Sequence, residues 1–281
     1  MRLVRYGDKG MEKPGLLDSK NRVRSLAGLV PNIDTAMLAP AAQEVLRAID
    51  PEKLPLIQAD CRLGMPLIGI RQIIAVAGNY RAHVEERGHI QPTEPMIFHK
   101  SVGSLSGPTD DIILPPGTNE NDWEVELGIL IGKTAQRVSE NEALSHVGGY
   151  CLVNDITERH WQHKRIGQFG KGKSFDSFTP IGPWLVTPEE LGDPQTLDMW
   201  LELNGKRRQQ GSTEEMVYGV AEIVSYISQF MTLEIGDLIV SGTCAGVGAA
   251  CKPPVFMQDG DRLDFGISGL GVQRHAVRRA K

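Results

Sequence analysis

The sequence predicts a mostly β, β-rich α+β protein. Strand-like apolar runs outnumber helical patterns, and the two kinds do not alternate as a doubly wound βαβ sheet requires. The chain has 281 residues, 41% hydrophobic and 23% charged, which suits one large globular domain or a main domain with a small companion. Disorder, collagen and low-complexity readings are excluded by the same figures.

The first seventy residues alternate short strand-like pieces with turn chemistry. LVRY at 3–6, Pro14-Gly15 before an apolar pair, and Asp18 to Asn21 before RVRSL read as a β-meander. A helix is predicted over 41–49, with Val45, Leu46 and Ile49 on its apolar side and Pro51 and Pro55 ending it. We divide the chain at this point into a small N-terminal domain, 1–70, and a main domain, 71–281.

A buried strand is predicted over 73–77, ended by Gly78 and Asn79. Further strands are expected over 111–114, 123–131, 149–154, 183–187, 199–203, 237–241 and 262–267. Helical patterns are few: 140–147, opened by a capping box of Ser139 and Glu142; about 156–164; and 219–230, with apolar residues at 220, 223, 224, 227 and 230. No internal repeat or linker-like segment is present.

Acidic residues outnumber basic ones 35 to 30, for a net charge of −5. That leaves no general field to attract nucleic acid or an anionic membrane, and neither is expected as a partner. The basic run Arg274, His275, Arg278, Arg279, Lys281 reads as a solvated, frayed end. No stretch reaches the roughly 18–20 apolar residues of a membrane span, and the N-terminus carries charges where a secretory signal is apolar. A cytoplasmic location is expected, with Cys61, Cys151, Cys244 and Cys251 as reduced thiols.

The segment 122–131, DWEVELGILI, is the most informative. On a strand Glu124 and Glu126 project from one side, Cα atoms roughly 6.5–7 Å apart, while Val125, Leu127, Ile129 and Ile131 bury the other. Two like charges on a central strand require a compensating cation or proton; a solvent-exposed polar face is the plain alternative. Asp155 ends the apolar run 151–154 at a strand-to-helix junction, where it either joins the two glutamates or caps the following helix. Three carboxylates without cysteine make a hard oxygen set suited to Mg²⁺, Mn²⁺ or Ca²⁺ and poorly to zinc.

His83 and Glu86 fall at i and i+3 if residues 79–86 start a helical turn. The carboxylate can then orient the imidazole as a general base, although such pairs also occur on solvated helices. Residues 167–174 match G-x-x-x-x-G-K-S, but neither the preceding buried strand nor the following helix of a P-loop is there. Lys171 or Lys173 in this glycine-rich, flexible loop is left as an anion-binding or charge-stabilising residue. His160 and His163 read as ordinary surface or supporting histidines, and the glycines of 242–248 as tight turns or a close approach to a ligand.

Taken together, DWEVELGILIGK (122–133), GYCLVNDITERHWQ (149–162), GKSFDSFTPIGPWLVT (172–187), LELNGKRRQQGST (201–213) and GDLIVSGTCAGVG (236–248) resemble the fumarylacetoacetate hydrolase family. The similarity runs from about residue 70 to 272 in the family's order, and the N-terminal region resembles the extra module of bacterial members with keto-acid substrates. The resemblance implies a mixed β-sandwich or roll, usually homodimeric, with Mg²⁺ or Mn²⁺ held by Glu124, Glu126 and Asp155. It assigns His83 and Glu86 to water activation, Lys173 to the developing enolate, and Tyr80, Arg159, Gln162 and Thr243 to a small keto-acid substrate. The implied reaction is hydrolysis of a C–C bond in a β-diketo acid such as an acylpyruvate or a diketo-deoxy sugar acid. Oxaloacetate decarboxylation, enol–keto isomerisation and non-catalytic keto-acid or metal binding are the alternatives. Two positions depart from the family, Gly78 for a bulky apolar residue and Cys244 for proline; both lie near the expected site and neither is a presumed ion ligand.

Overall fold

The computed structural model describes residues 1–88 and 90–280, so that Lys281 of the basic C-terminal run lies outside the described residues. The chain opens with the expected meander, β1 (Arg2–Tyr6), β2 (Lys13–Leu17) and β3 (Val23–Ser25). Helix α1 (Pro40–Arg47) begins on proline, whose missing N–H costs nothing in a first turn. It buries Leu46 and Gln43, whereas Val45, expected inside, is 67% exposed. Gln43 goes inward because its side-chain amide satisfies the buried carbonyls of Gly148, at 2.5 Å, and Leu38, at 3.2 Å.

Strand β4 (Ile73–Ala77) leads to α2 (Arg81–Glu86), followed by β5 (Met96–Lys100), β6 (Leu105–Ser106), β7 (Ile112–Leu114), β8 (Asn121–Asp122) and β9 (Val125–Ile131). The strand expected over 123–131 is therefore broken at Trp123 and Glu124. The capping box of Ser139 and Glu142 forms, but it opens only a single turn, α3 (Glu140–Ala143), before a 3₁₀ turn over Leu144–His146.

Strand β10 (Val147–Asn154) is followed by β11 (Thr157–Glu158) and a π-type turn over His160–Lys164, in place of the continuous helix expected over 156–164. The predicted flexible glycine-rich loop contains a short helix, α4 (Phe169–Lys173). The remaining elements are β12 (Thr179–Val186), α5 (Pro188–Leu191), β13 (Asp198–Leu203), β14 (Lys206–Ser212), α6 (Val220–Ser228), β15 (Leu238–Thr243), β16 (Arg262–Ile267) and β17 (Gly271–Arg279). Residues 220, 223, 224 and 227 bury as their spacing requires, while Phe230 lies past the end of α6 and is 57% exposed.

One mixed sheet runs in the order β3-β2-β1-β12-β10-β9-β15-β4-β5, with β6 added beside β12; a second runs β14-β13-β16-β17-β7. The fold is thus the mixed, β-rich α+β architecture expected. Strand β17 corrects the reading of the C-terminus as a frayed end. It pairs with β16 and β7, and alternation sends Gln273, His275 and Val277 inward and Arg274 and Arg278 outward.

Strand β9 is buried on both sides. Val125, Leu127, Ile129 and Ile131 join a core with Leu201 and Phe265 of the second sheet, while Leu130 faces a core built with Leu3, Leu26 and Leu46 of the N-terminal region. Packing on both faces fixes the strand's register and so the height at which its acidic end emerges. All four cysteines are free, with Cys151 and Cys244 buried. Among the described residues, no helix is long and apolar enough to cross a membrane.

Candidate metal centre and active site

Strand β9 lies between β10 and β15, and its register sets Glu126 opposite Val153 and Thr243. Glu124 occupies the break before β9. Its N–H donates to the Asn154 side-chain oxygen at 2.9 Å, and its carbonyl accepts the Asp155 N–H at 2.8 Å. These bonds align Glu124 beside Asp155 at the end of β10. One carboxylate oxygen from each of Glu124, Glu126 and Asp155 lies within 4.8 Å of the other two, and all three residues are buried.

Buried cations surround them. Lys173 Nζ donates to Glu124 at 2.6 Å and also to Asp155. Lys100 Nζ pairs with the other Asp155 oxygen and donates to the Phe178 carbonyl at 2.8 Å. Arg159 donates to Glu124 at 2.7 Å, Asp122 at 2.8 Å and Gln162 at 3.0 Å. Asp155 caps no helix: both its oxygens are engaged by lysines. Lys171, the other lysine of the glycine-rich segment, is exposed and bonds the Arg165 carbonyl.

Glu126 differs from its two neighbours. It accepts the Gly242 N–H at 2.6 Å and forms no ion pair among the described residues. Burial, then the charges of Asp155 and Glu124, push its carboxyl well above the usual carboxylate range. For Glu124 burial also pushes upward, but Lys173 and Arg159 overcome it and hold the group well below that range. Burial likewise opposes the charge on Lys173, and Asp155 and Glu124 more than reverse this. A set of three hard oxygens, one of them lacking a cationic partner, fits a divalent ion such as Mg²⁺ or Mn²⁺.

Helix α2 brings His83 and Glu86 together as their spacing predicts, with His83 Nδ1 2.8 Å from Glu86 Oε1. The second Glu86 oxygen accepts the Gly246 N–H at 2.9 Å, which fixes the carboxylate from behind. A cavity of about 610 Å³ joins these parts. Its polar side is lined by His83, Glu124, Glu126, Asp155, Arg159, Gln162, Lys173 and Thr243, and its apolar side by Val76, Val84, Pro92, Met96, Phe98 and Phe169.

Two sequence-predicted residues do not line this cavity. Glu86 sits behind His83, and Tyr80 is fully buried in the core. The Thr243 hydroxyl, though at the cavity, donates to the Val125 carbonyl and accepts from Gln209, both at 2.8 Å. His163 lines the cavity edge-on to Phe169, whereas His160 is exposed. Sequence reasoning missed Lys100, Asp122 and Arg87. Asp122 adjoins the recognised acidic segment, but its role, holding Arg159 while accepting the Gly248 and Ala249 N–H groups, depends on distant loops.

A family model described as fumarylacetoacetate (FAA) hydrolase C-terminal matches residues 72–278. The chain is 47% identical over 278 residues to a 2,4-didehydro-3-deoxy-L-rhamnonate hydrolase of Sphingomonas sp. (strain SKA58), covering 99% of this chain and 96% of that protein. Its structure is similar to fumarylacetoacetate hydrolase from the psychrophilic Exiguobacterium antarcticum, with TM-score 0.86, 33% identity and full coverage of both chains. It is also similar to maleylpyruvate hydrolase from Sphingobium sp. SYK-6 in complex with manganese (II) ion and pyruvate, with TM-score 0.82, 30% identity and full coverage of both chains.

Proposed function

The chain belongs to the fumarylacetoacetate hydrolase family, and from that footing we propose that it hydrolyses a C–C bond of a β-diketo acid, of the acylpyruvate or diketo-deoxy sugar acid type, releasing pyruvate and a second carboxylic acid. The observation that carries this reading is the placement of His83, backed by Glu86, and of the three carboxylates around one cavity.

Glu124, Glu126 and Asp155 would hold a divalent ion, which would supply polarisation of the substrate's 2-oxo acid end. Arg159 and Gln162 orient that end through their own polar groups. With Nδ1 engaged by Glu86, His83 keeps Nε2 for the proton of an attacking water. The water oxygen bonds to the distal carbonyl carbon, and the bond from that carbon to the central methylene breaks. Its electron pair passes into the leaving pyruvate enolate, which is then protonated at carbon. Lys173 is buried and held cationic, so its charge is available to stabilise the enolate oxygen, a contribution commonly of about 3 kcal/mol for one oriented donor. The reading takes the protein as a cytoplasmic homodimer, which light scattering and fractionation test.

The functional test incubates the protein with a panel of acylpyruvates, diketo-deoxy sugar acids and oxaloacetate, in magnesium and in manganese. Pyruvate release with one equivalent of a second acid supports the proposal. Release of CO₂ alone, or a shifted ultraviolet band without cleavage, shows decarboxylation or isomerisation at the same site and contradicts it.

A further inference from the structure

Asp122, fully buried at the end of β8, does not line the cavity, yet its carboxylate joins two parts of the site. One oxygen takes the Arg159 guanidinium, with Nε and Nη2 both at 2.8 Å, and the Ala249 N–H at 3.0 Å. The other takes the Gly248 N–H at 2.6 Å and the Trp123 N–H at 2.9 Å. Charge-assisted bonds on both oxygens fix the carboxylate, and whatever it bonds, in one arrangement.

The turn held in this way reaches the general-base side of the cavity. Gly246 donates its N–H to Glu86 at 2.9 Å, and its carbonyl accepts the Trp123 indole N–H at 3.1 Å. Its φ is +106°, and a Cβ there would meet the Arg208 carbonyl oxygen at 2.0 Å, so glycine alone brings this N–H to its place. Glu86 in turn holds His83 Nδ1 at 2.8 Å. On the other side, Arg159 lines the cavity beside Gln162, to which it donates. Its second acid, Glu124, is a proposed ion ligand, which leaves Asp122 as the acid that no ion in the carboxylate cluster would claim.

We propose that Asp122 is a positioning residue that couples the two sides: one carboxylate aims Arg159 at the substrate and, through the 246–249 turn, sets Glu86 behind His83. The kinetic consequences rest on the hydrolase reading of the cavity; the coupling through the backbone does not.

The first measurement is amide hydrogen exchange by nuclear magnetic resonance in wild type and Asp122→Asn, a nearly isosteric change. Exchange at Gly246, which Asp122 does not touch, is expected to quicken by at least about ten-fold together with Gly248 and Ala249, while Ile223 and Val224 of α6 keep their rates. An unchanged Gly246, or an equal rise in α6, overturns the proposal. The second is a kinetic cycle of manganese-loaded wild type, Asp122→Asn, Glu86→Ala and the double variant on an acylpyruvate. Asp122→Asn should raise KM and lower kcat, each by about ten-fold, and its effect on kcat should shrink towards one in the Glu86→Ala background while its effect on KM persists. Full additivity in kcat marks a merely structural role and overturns the coupling. Should Asp122→Asn not fold, Trp123→Phe cuts only the tie to the Gly246 carbonyl: faster exchange at Gly246 with lowered kcat and unchanged KM supports the relay, and an unchanged Gly246 overturns it. Should no acylpyruvate turn over, it is the hydrolase reading that fails, and the exchange rate at Gly246 still decides the role of Asp122.

Discussion

Asp155 donates its backbone N–H to the Glu124 carbonyl at 2.8 Å, and the carboxylates of the same two residues share the ammonium of Lys173. One acid closes β10 and the other opens onto β9, so the sheet's own hydrogen bonding sets the spacing of the cluster. Glu126 completes it without a cation of its own.

This asymmetry separates two substitutions of equal size. Asp155→Asn leaves the buried Lys100 and Lys173 short of counter-charge, at a cost of about 3 kcal/mol, whereas Glu126→Gln alters a carboxyl that forms no ion pair among the described residues. In chelator, Asp155→Asn is expected to melt roughly 5 °C or more below wild type and Glu126→Gln no lower than wild type. Both should lose metal-dependent turnover by at least about 100-fold, as measured by pyruvate release alongside calorimetric melting.

Opposite pH signatures follow from the two glutamates. The raised folded-state pKa of Glu126 contributes stability that is complete below the unfolded value of about 4.3 and is lost as pH rises through the folded value. Glu124 has the reverse sign: its contribution is complete above the unfolded value and is lost as pH falls towards its depressed folded value. Chelated wild type should therefore lose melting temperature relative to Glu126→Gln as pH rises from the unfolded value towards the raised folded value. At a pH below that raised folded value, manganese binding should release a proton from Glu126, counted by calorimetry in two buffers of different ionisation enthalpy. A count of zero disproves the assignment to Glu126.

His83→Ala is expected to lower kcat by about 100-fold to 10,000-fold with a smaller effect on KM, as the proposed general-base role of the imidazole requires. Glu86→Gln keeps the shape of the contact but withdraws the charge behind the imidazole, and should lie between wild type and His83→Ala. Steady-state kinetics on one acylpyruvate decide the order. An unchanged kcat with a raised KM would reduce His83 to a binding residue.

Gly242 supports Glu126, one of the three proposed ion ligands, through its backbone. Its φ is +92° and a Cβ there would meet the Asn79 side chain at 2.9 Å, while its N–H is the donor to Glu126. Gly242→Ala should destabilise the fold by about 1–3 kcal/mol and weaken manganese binding together. Gly192→Ala is the control, with φ +81° and open space around the added methyl: it should cost stability without changing the ion's affinity. Thermal melts and manganese titrations of both variants provide the comparison.

The carboxylates and the His83–Glu86 pair were legible in the sequence because each depends on short-range spacing or on one strand end. Lys100 was not, because its role arises where β5 meets Asp155, 55 residues later in the chain. Strand β17 was hidden for a different reason: its inward positions include Gln273 and His275, whose buried hydrogen bonds replace the apolar alternation that marks a strand. The break before β9 escaped notice because Trp123 and Glu124 continue the strand-like pattern, and only the long-range bonds to Asn154 and Asp155 show where pairing stops.

The central claim is that Glu124, Glu126 and Asp155 together ligate one hard dication. Anomalous diffraction at the manganese edge, from crystals grown with manganese, tests it most directly. A single strong peak about 2.0–2.3 Å from an oxygen of each of the three residues is the result predicted. Manganese density elsewhere, with Lys173 still bridging Glu124 and Asp155 and nothing beside Glu126, would contradict it.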